Sequence, residues 1–191
     1  MTLTTRHQWL IGLGLVLLLI MTRGHHVASV AALPSASWAI FFLAGVYLSS
    51  RWAFPALLAG AGLLDFAAVT WGGVSSFCIS PAYGFLLPAY GALWLAGRWY
   101  ARCYSFQWRT LMPLGVSLLG GATLCELLSS GGFYFLSGRF AEPTLAEFGG
   151  RLLQYFPGML TNLLVYVGGA ALIHLAVVAL RDVVKRHQAA G

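Results

Sequence analysis

The longest apolar stretch of this chain is FPGMLTNLLVYVGGAALIHLAVVAL, residues 156–180. It contains no Asp, Glu, Lys or Arg, and a helix needs only about 20 such residues to cross the hydrocarbon core of a bilayer. Five more apolar stretches precede it: Trp9–Met21 with its flanks, Trp38–Leu48, Ala53–Trp71, Ala82–Trp99 and Leu111–Leu128. The sequence therefore predicts an all-α membrane protein with six transmembrane helices that form a single domain, residues 1–191.

The composition excludes a soluble globular protein. Of the 191 residues, 59% are apolar or aromatic and 8% are charged, and the mean hydropathy is +0.80. Soluble domains carry roughly 25% charged residues, so most of this surface must face lipid. The net charge of +6 comes from basic residues that lie singly between apolar runs, without a phosphate-binding loop, zinc-finger spacing or RNA-binding motif. We therefore predict no nucleic-acid partner.

The positions of Lys and Arg predict the orientation of the chain. Cytoplasmic connections of membrane proteins are enriched in these residues. If both termini are cytoplasmic, the inner segments hold Arg6, Arg51, Arg98, Arg102, Arg109, Arg181, Lys185 and Arg186, and the outer segments hold Arg23, Arg139 and Arg151. This asymmetry predicts an N-in, C-in multi-pass membrane protein. A cleaved signal peptide ending near 28–32 is the alternative, which the polar run 23–26 does not fit.

Two polar segments predict helix ends. Ser80-Pro81 precedes an apolar run and predicts the start of the fourth helix, with Ser80 as the N-cap and Pro81 as the first helical residue. The run Ser129-Ser130-Gly131-Gly132 predicts the end of the fifth helix.

Burying a charge inside a bilayer is costly, so the positions of ionisable residues are informative. Most of those in or beside the predicted helices fall in the outer half of the membrane. They are His25, His26, Asp65, Glu126 and Arg151. Asp65 lies six residues before Trp71, which places it about 9 Å below the outer end of its helix. We expect a ligand pocket open to the outside, and the alternative is a structural ion pair of Asp65 with Arg139 or Arg151. In the inner half we expect His174 to be a packed histidine.

Cys78 is the residue with the most distinctive predicted chemistry. Cys103 falls in a cytoplasmic connection and Cys125 within the fifth helix, so Cys78 has no evident disulfide partner in its outer loop. It also precedes the predicted helix start at Ser80-Pro81, where the helix dipole favours a thiolate. A thiolate is both a nucleophile and a soft metal ligand.

Two classes of function fit a reactive outer thiol. In the first, Cys78 binds a metal-bearing ligand in an uptake protein. In the second, Cys78, His26 and Asp65 form the nucleophile, base and orienting carboxylate of a membrane thiol hydrolase or acyltransferase, with Ser75 and His25 as a serine version. A haem protein is a weaker third class, because only His174 lies inside a helix. Residue spacing leaves the first two classes open.

Five residues carry a resemblance to a known family: His26 after the first helix, Asp65 in the third, Cys78 and Tyr83 around the start of the fourth, and Arg151 before the sixth. In their order and context, over essentially the whole chain, they resemble the signature of the BtuM family of solitary cobalamin transporters of Gram-negative bacteria. This family is similar to the substrate-binding S-components of energy-coupling-factor (ECF) vitamin transporters. The resemblance implies a six-helix S-component-like fold and uptake of cobalamin (vitamin B12) and cobinamide.

The resemblance also implies roles for these residues. Cys78 would bind the cobalt of cobalamin as an axial ligand, displace its lower base, and take part in decyanation of cyanocobalamin. Tyr83 would support the corrin or the thiolate, and Asp65 and Arg151 would bind the corrin amides or each other. His26 would contact the opposite face of the cobalt or close the first loop over the ligand.

One feature departs from S-components. They dock on a coupling subunit through an Ala-x-x-x-Ala patch on the first helix, whereas Gly12 and Gly14 here are two residues apart and face different sides. The pattern therefore does not support docking to an ECF coupling module.

Overall fold

A computed structural model describes residues 4–23, 33–73 and 80–190, with side chains described to residue 180 and at residue 188. All regular secondary structure in these ranges is helical, which confirms the all-α prediction. The six α-helices are α1 (Thr5–Arg23), α2 (Ser37–Tyr47), α3 (Ala53–Thr70), α4 (Leu86–Cys103), α5 (Leu111–Leu136) and α6 (Leu145–Ala190). Short 3₁₀-helices precede α4 (Pro81–Phe85) and α5 (Trp108–Thr110).

Within the described ranges, four helical segments are long and apolar enough to cross a membrane, as expected for a membrane protein. They are Thr5–Arg23, Ala53–Thr70, Trp108–Leu136 and Leu145–Leu180. The other two predicted stretches are also helical, but α2 has only 11 residues, about 16 Å of helix. Helix α4 has 18 residues and carries Arg98 and Arg102 close to its C-terminal end.

Helix α2 forms the centre of the bundle. Every residue from Ser37 to Val46 is buried, and the ring of Phe41 stacks on Tyr90 of α4 at a centroid distance of 4.3 Å. The two backbones touch where glycines face each other's helix. A Cβ atom on Gly45 would lie 2.2 Å from the carbonyl oxygen of Trp94, and one on Gly97 would lie 2.1 Å from that of Phe42. Small residues allow such close approach in membrane proteins.

Consecutive helices run in opposite directions, so the bundle has two distinct ends. At one end, Gln8 near the start of α1 accepts hydrogen bonds from Ser49 after α2, and Arg98 near the end of α4 donates to the Leu48 and Ser49 carbonyls. We call this the basic end, defined by Arg6, Arg51, Arg98, Arg102 and Arg109. At the other end, Arg23 at the close of α1 meets Ser37 at the start of α2 and Asp65 late in α3.

Exposed tryptophans mark the same two ends. Trp9, Trp52, Trp99 and Trp108 lie at the basic end, and Trp71 lies at the opposite end. Trp52 and Trp71 flank α3 and are 70% and 79% exposed. They are 19 residues apart in the sequence, or about 28 Å along a helix, close to the thickness of the hydrocarbon core. This spacing is typical of interfacial tryptophans on a transmembrane helix.

The predicted end of the fifth helix is wrong. Helix α5 continues through Gly131 and Gly132 to Leu136. A Cβ on Gly132 would lie 2.5 Å from Cγ of Phe85, and one on Gly131 would lie 3.4 Å from Phe148. These glycines therefore provide room for neighbouring aromatic rings within a continuous helix.

The fourth helical segment begins at the predicted position, Ser80-Pro81, but its first turn is a 3₁₀-helix and Ser80 is not a side-chain cap. Pro81 begins a 3₁₀-helix that leads into α4, and the Ser80 carbonyl accepts a hydrogen bond from the backbone N–H of Tyr83 at 2.8 Å. The Ser80 side chain makes no capping hydrogen bond.

The α2–α4 contact generates a stability prediction. We expect Gly97→Ala to destabilise the protein by about 1–3 kcal/mol or more, because the new methyl group overlaps the backbone of α2. Thermal unfolding in detergent micelles would measure this effect. Gly120→Ala is the matched control: a Cβ there meets no atom within 4 Å, so the unfolding temperature should be unchanged or slightly higher. Equal effects of the two substitutions would contradict the prediction.

Candidate functional site

A partly open cavity of about 290 Å³ lies at the end of the bundle opposite the basic end. Five α-helices and the 3₁₀-helix before α4 line it, through Arg23, Asp65, Ala82, Tyr83, Leu86, Glu126, Ser129, Ser130, Phe133, Tyr134, Phe148, Arg151, Leu152 and Tyr155. The structure brings together Asp65, Tyr83 and Arg151, which were predicted as site residues. The other two, His26 and Cys78, lie outside the described residues.

An ion pair between Arg23 and Asp65 forms one wall of the cavity. The Arg23 Nε and Nη2 groups each donate a 2.6 Å hydrogen bond to a different oxygen of Asp65. The Tyr83 hydroxyl donates a third, also 2.6 Å long, to Oδ2. The Arg23 and Asp65 side chains are 14% and 26% exposed. Two parallel N–H···O bonds are a strong and directional form of ion pairing.

The remaining donors of Arg23 extend this network to two more helices. Its Nη1 group donates 3.0 Å hydrogen bonds to the hydroxyls of Ser37 on α2 and Tyr90 on α4. The alternative in which Asp65 pairs with Arg139 or Arg151 is wrong, since its partner is Arg23. In the sequence, Arg23 was recognisable only as a basic residue of an outer connection, so its role in the site was missed.

Arg151 lies on the opposite wall and is held by aromatic rings. Its guanidinium carbon is 5.7 Å from the ring centre of Tyr134, 5.0 Å from Phe140 and 5.6 Å from Tyr155. Within the described part of the chain it forms no ion pair. Stacking on rings leaves the N–H groups at the edge of the guanidinium plane available to a ligand.

The start of α6 is fixed by hydrogen bonds that position Arg151. The Thr144 hydroxyl accepts a hydrogen bond from the backbone N–H of Glu147, as an N-cap residue does. The hydroxyl of Tyr134 donates to the Glu147 carboxylate at 2.8 Å and accepts from the Thr144 N–H at 3.2 Å. Tyr134 therefore connects α5 to the first turn of α6 while its ring supports Arg151.

Glu126 is the second acidic residue of the cavity. It is 5% exposed, and Ser130, one turn later on α5, donates a 2.6 Å hydrogen bond to its Oε1 atom. Glu126 lines the cavity from α5, on the same side of the bundle as Arg23 and Asp65. Its side-chain direction was not predictable because α5 is apolar on all sides.

A second cavity of about 390 Å³ lies at the basic end. Its lining is mainly aromatic and apolar, and none of the predicted site residues contributes to it. His174 lies here with its Nε2 atom 3.1 Å from the Tyr104 hydroxyl, in line with the expected packed histidine. Burial raises the pKa of Tyr104 above its usual range.

The first cavity contains two arginines and two acidic residues, and hydroxyl and aromatic groups surround them. These side chains can offer a ligand both hydrogen-bond donors and hydrogen-bond acceptors. Among the described residues, no three His, Cys, Asp or Glu side chains are grouped to hold a metal ion. No protein-family model matches the chain, and no curated protein matches it significantly.

The ion pair generates a second prediction. We expect Asp65→Asn to lower the free energy of unfolding by about 2–4 kcal/mol, because it leaves the partly buried Arg23 charge without its counterion. Denaturant unfolding in micelles would measure this, with Glu142→Gln, an exposed carboxylate, as the control. The double variant Arg23→Gln/Asp65→Asn should lose less stability than the sum of the single variants. Additive losses would show that the two side chains are not coupled.

Proposed function

We propose that this protein takes up cobalamin and cobinamide across the inner membrane of a Gram-negative bacterium, binding the corrin in the cavity opposite the basic end. The observation that carries the proposal is the convergence of Asp65, Tyr83 and Arg151. These three residues belong to the five that resemble the BtuM signature, and they come from separate segments of the chain. Their meeting in one cavity is what a shared ligand requires.

The two remaining signature residues, His26 and Cys78, are close in sequence to residues that line the cavity. Arg23 is three residues before His26, and Ala82 is four residues after Cys78. In the proposal, the Cys78 thiolate binds the cobalt as an axial ligand and displaces the lower base. Electron donation from sulfur also weakens the bond to an upper cyanide, which is our chemical reason for proposing decyanation of cyanocobalamin.

The size of the described cavity suits one edge of a corrin. Small-molecule sites typically enclose about 300–1,000 Å³, and this cavity of about 290 Å³ is at the lower limit. A corrin presents uncharged carboxamide side chains at its edge. The Arg151 guanidinium supplies hydrogen-bond donors for amide carbonyls, and the acidic residues supply acceptors for amide N–H groups.

We further propose six crossings with both termini in the cytoplasm. The basic end would face the cytoplasm, which agrees with its arginines. Helix α2 is too short to span alone, but Ser37–Val46 are buried, so protein rather than lipid surrounds this helix. The arginines close to the C-terminal end of α4 would lie at the cytoplasmic interface.

The alternative of a thiol hydrolase or acyltransferase receives less support from the site. It needs Asp65 to orient His26, as the carboxylate of a catalytic triad does. Both oxygens of Asp65 are already engaged by Arg23 and Tyr83. A carboxylate neutralised by a bidentate arginine stabilises an imidazolium poorly.

The cobalt proposal predicts a spectral change. Purified protein incubated with cyanocobalamin should show a corrin spectrum shifted from that of the free vitamin, and Cys78→Ala should abolish the shift. Cys103→Ala is the matched control, because Cys103 is exposed and lies at the basic end. Absence of bound corrin in the wild type would overturn the transport proposal and favour the thiol enzyme. Identical shifted spectra for wild type and Cys78→Ala would remove Cys78 as the ligand.

The orientation proposal predicts a labelling pattern. With Cys78 replaced by Ala, Ala141→Cys should react with a membrane-impermeant maleimide in intact spheroplasts, because residue 141 is exposed between α5 and α6. The native Cys103 should react only after the membrane is permeabilised. The opposite pattern would place the cavity on the cytoplasmic side.

A further inference from the structure

Glu126 is the one buried acidic side chain of the cavity for which neither the family resemblance nor the fold supplies a role. Its Oε1 atom accepts a hydrogen bond from Ser130, and its second oxygen accepts none from the described residues. Of the two arginines that line the cavity, Arg23 is held by Asp65. The structure gives Glu126 no ion pair within the described ranges. A carboxylate at this depth is costly unless a partner compensates for it.

Arg151 is the complementary group on the facing wall. Its guanidinium is supported by aromatic rings and has no carboxylate partner among the described residues. Glu126 and Arg151 line the same cavity from α5 and α6 but lie too far apart for an ion pair with each other. The cavity therefore presents an acceptor on α5 and donors on α6 that do not neutralise each other.

We propose that Glu126 and Arg151 together bind a primary carboxamide of the ligand and select it over a carboxylate. The proposal rests on the proposed function, in which the ligand is a corrin with carboxamides at its edge. The amide NH₂ donates to Glu126, and the amide carbonyl accepts from Arg151. One neutral group thereby satisfies both charged side chains, since an amide carries a donor and an acceptor on adjacent atoms.

The same arrangement discriminates against a carboxylate of nearly equal shape. A carboxylate has acceptors only, so it leaves Glu126 without a donor and places two negative charges close together. Repulsion between like charges is stronger in a low-dielectric cavity than in water. Sites that bind an N–H group reject analogues lacking it far more strongly than apolar pockets reject a change of size.

A purely structural role for Glu126 predicts a different result. If the only function of Glu126 were to accept the hydrogen bond from the Ser130 hydroxyl, glutamine could perform it equally well, because the amide Oε1 of Gln accepts the same hydrogen bond. Glu126→Gln would then leave the choice between amide and carboxylate unchanged. Since Gln keeps the size of Glu, the variant is also expected to fold.

The test compares cobalamin with its monocarboxylate derivatives, each made by hydrolysing one peripheral amide. Affinities are measured by titration of the full-length protein in detergent. We expect the wild type to bind at least one monocarboxylate about tenfold or more weakly than cobalamin. Glu126→Gln should reduce that ratio at least about fivefold for the same derivative, since it removes the negative charge that opposes the carboxylate. Glu142→Gln, which removes an exposed carboxylate outside the cavity, should leave the ratio unchanged.

The outcomes separate this inference from the proposed function. If the wild type binds cobalamin and Glu126→Gln keeps the wild-type ratio for every derivative, the carboxamide assignment is overturned and the transporter proposal stands. The assignment is also overturned if the wild type binds all derivatives as tightly as cobalamin. If the wild type binds no corrin at all, the proposed function fails, and the carboxamide assignment fails with it.

Discussion

The bidentate contact between Arg23 and Asp65 determines how the cavity end of this protein is assembled. Helix α1 exposes many large apolar side chains, including Trp9, Leu10 and Met21. Apolar burial cannot hold such a helix against its neighbours in lipid, because lipid tails are as apolar as the neighbours. Polar contacts provide the specificity instead. A single guanidinium joins α1 to α2, α3 and α4 through Ser37, Asp65 and Tyr90.

The interior of the bundle supplies the rigid support for this network. Helix α2 is buried along its length, and its backbone touches α4 at Gly45 and Gly97. The stacked pair Phe41 and Tyr90 lies between those contacts and the guanidinium of Arg23. Close backbone packing therefore fixes the position of Tyr90, and Tyr90 in turn helps to fix the arginine that lines the cavity.

The all-α fold class could be predicted from the sequence, because it depends on composition and on the length of the apolar runs. The partners of the polar residues could not. The alternative ion pair of Asp65 was assigned to Arg139 or Arg151, and Arg23 was found instead, because helices that are apolar on all sides give no sign of which faces meet. The continuation of α5 past Gly132 was missed for a related reason: only the packed neighbour, Phe85, shows why glycine is needed there.

Charge in the cavity is arranged in two different ways, and the difference has a physical consequence. Arg23 and Asp65 neutralise each other within the protein, so the charges of that pair are compensated without a ligand. Glu126 and Arg151 lie on separate helices and have no counterion among the described residues, so their electrostatic energy depends on what enters between them. Binding energy that is realised only with a matching ligand favours specificity over stability. A neutral group with an adjacent donor and acceptor can hydrogen-bond to both Glu126 and Arg151 without changing the net charge of the cavity. An anion would pair only with Arg151, and a cation only with Glu126.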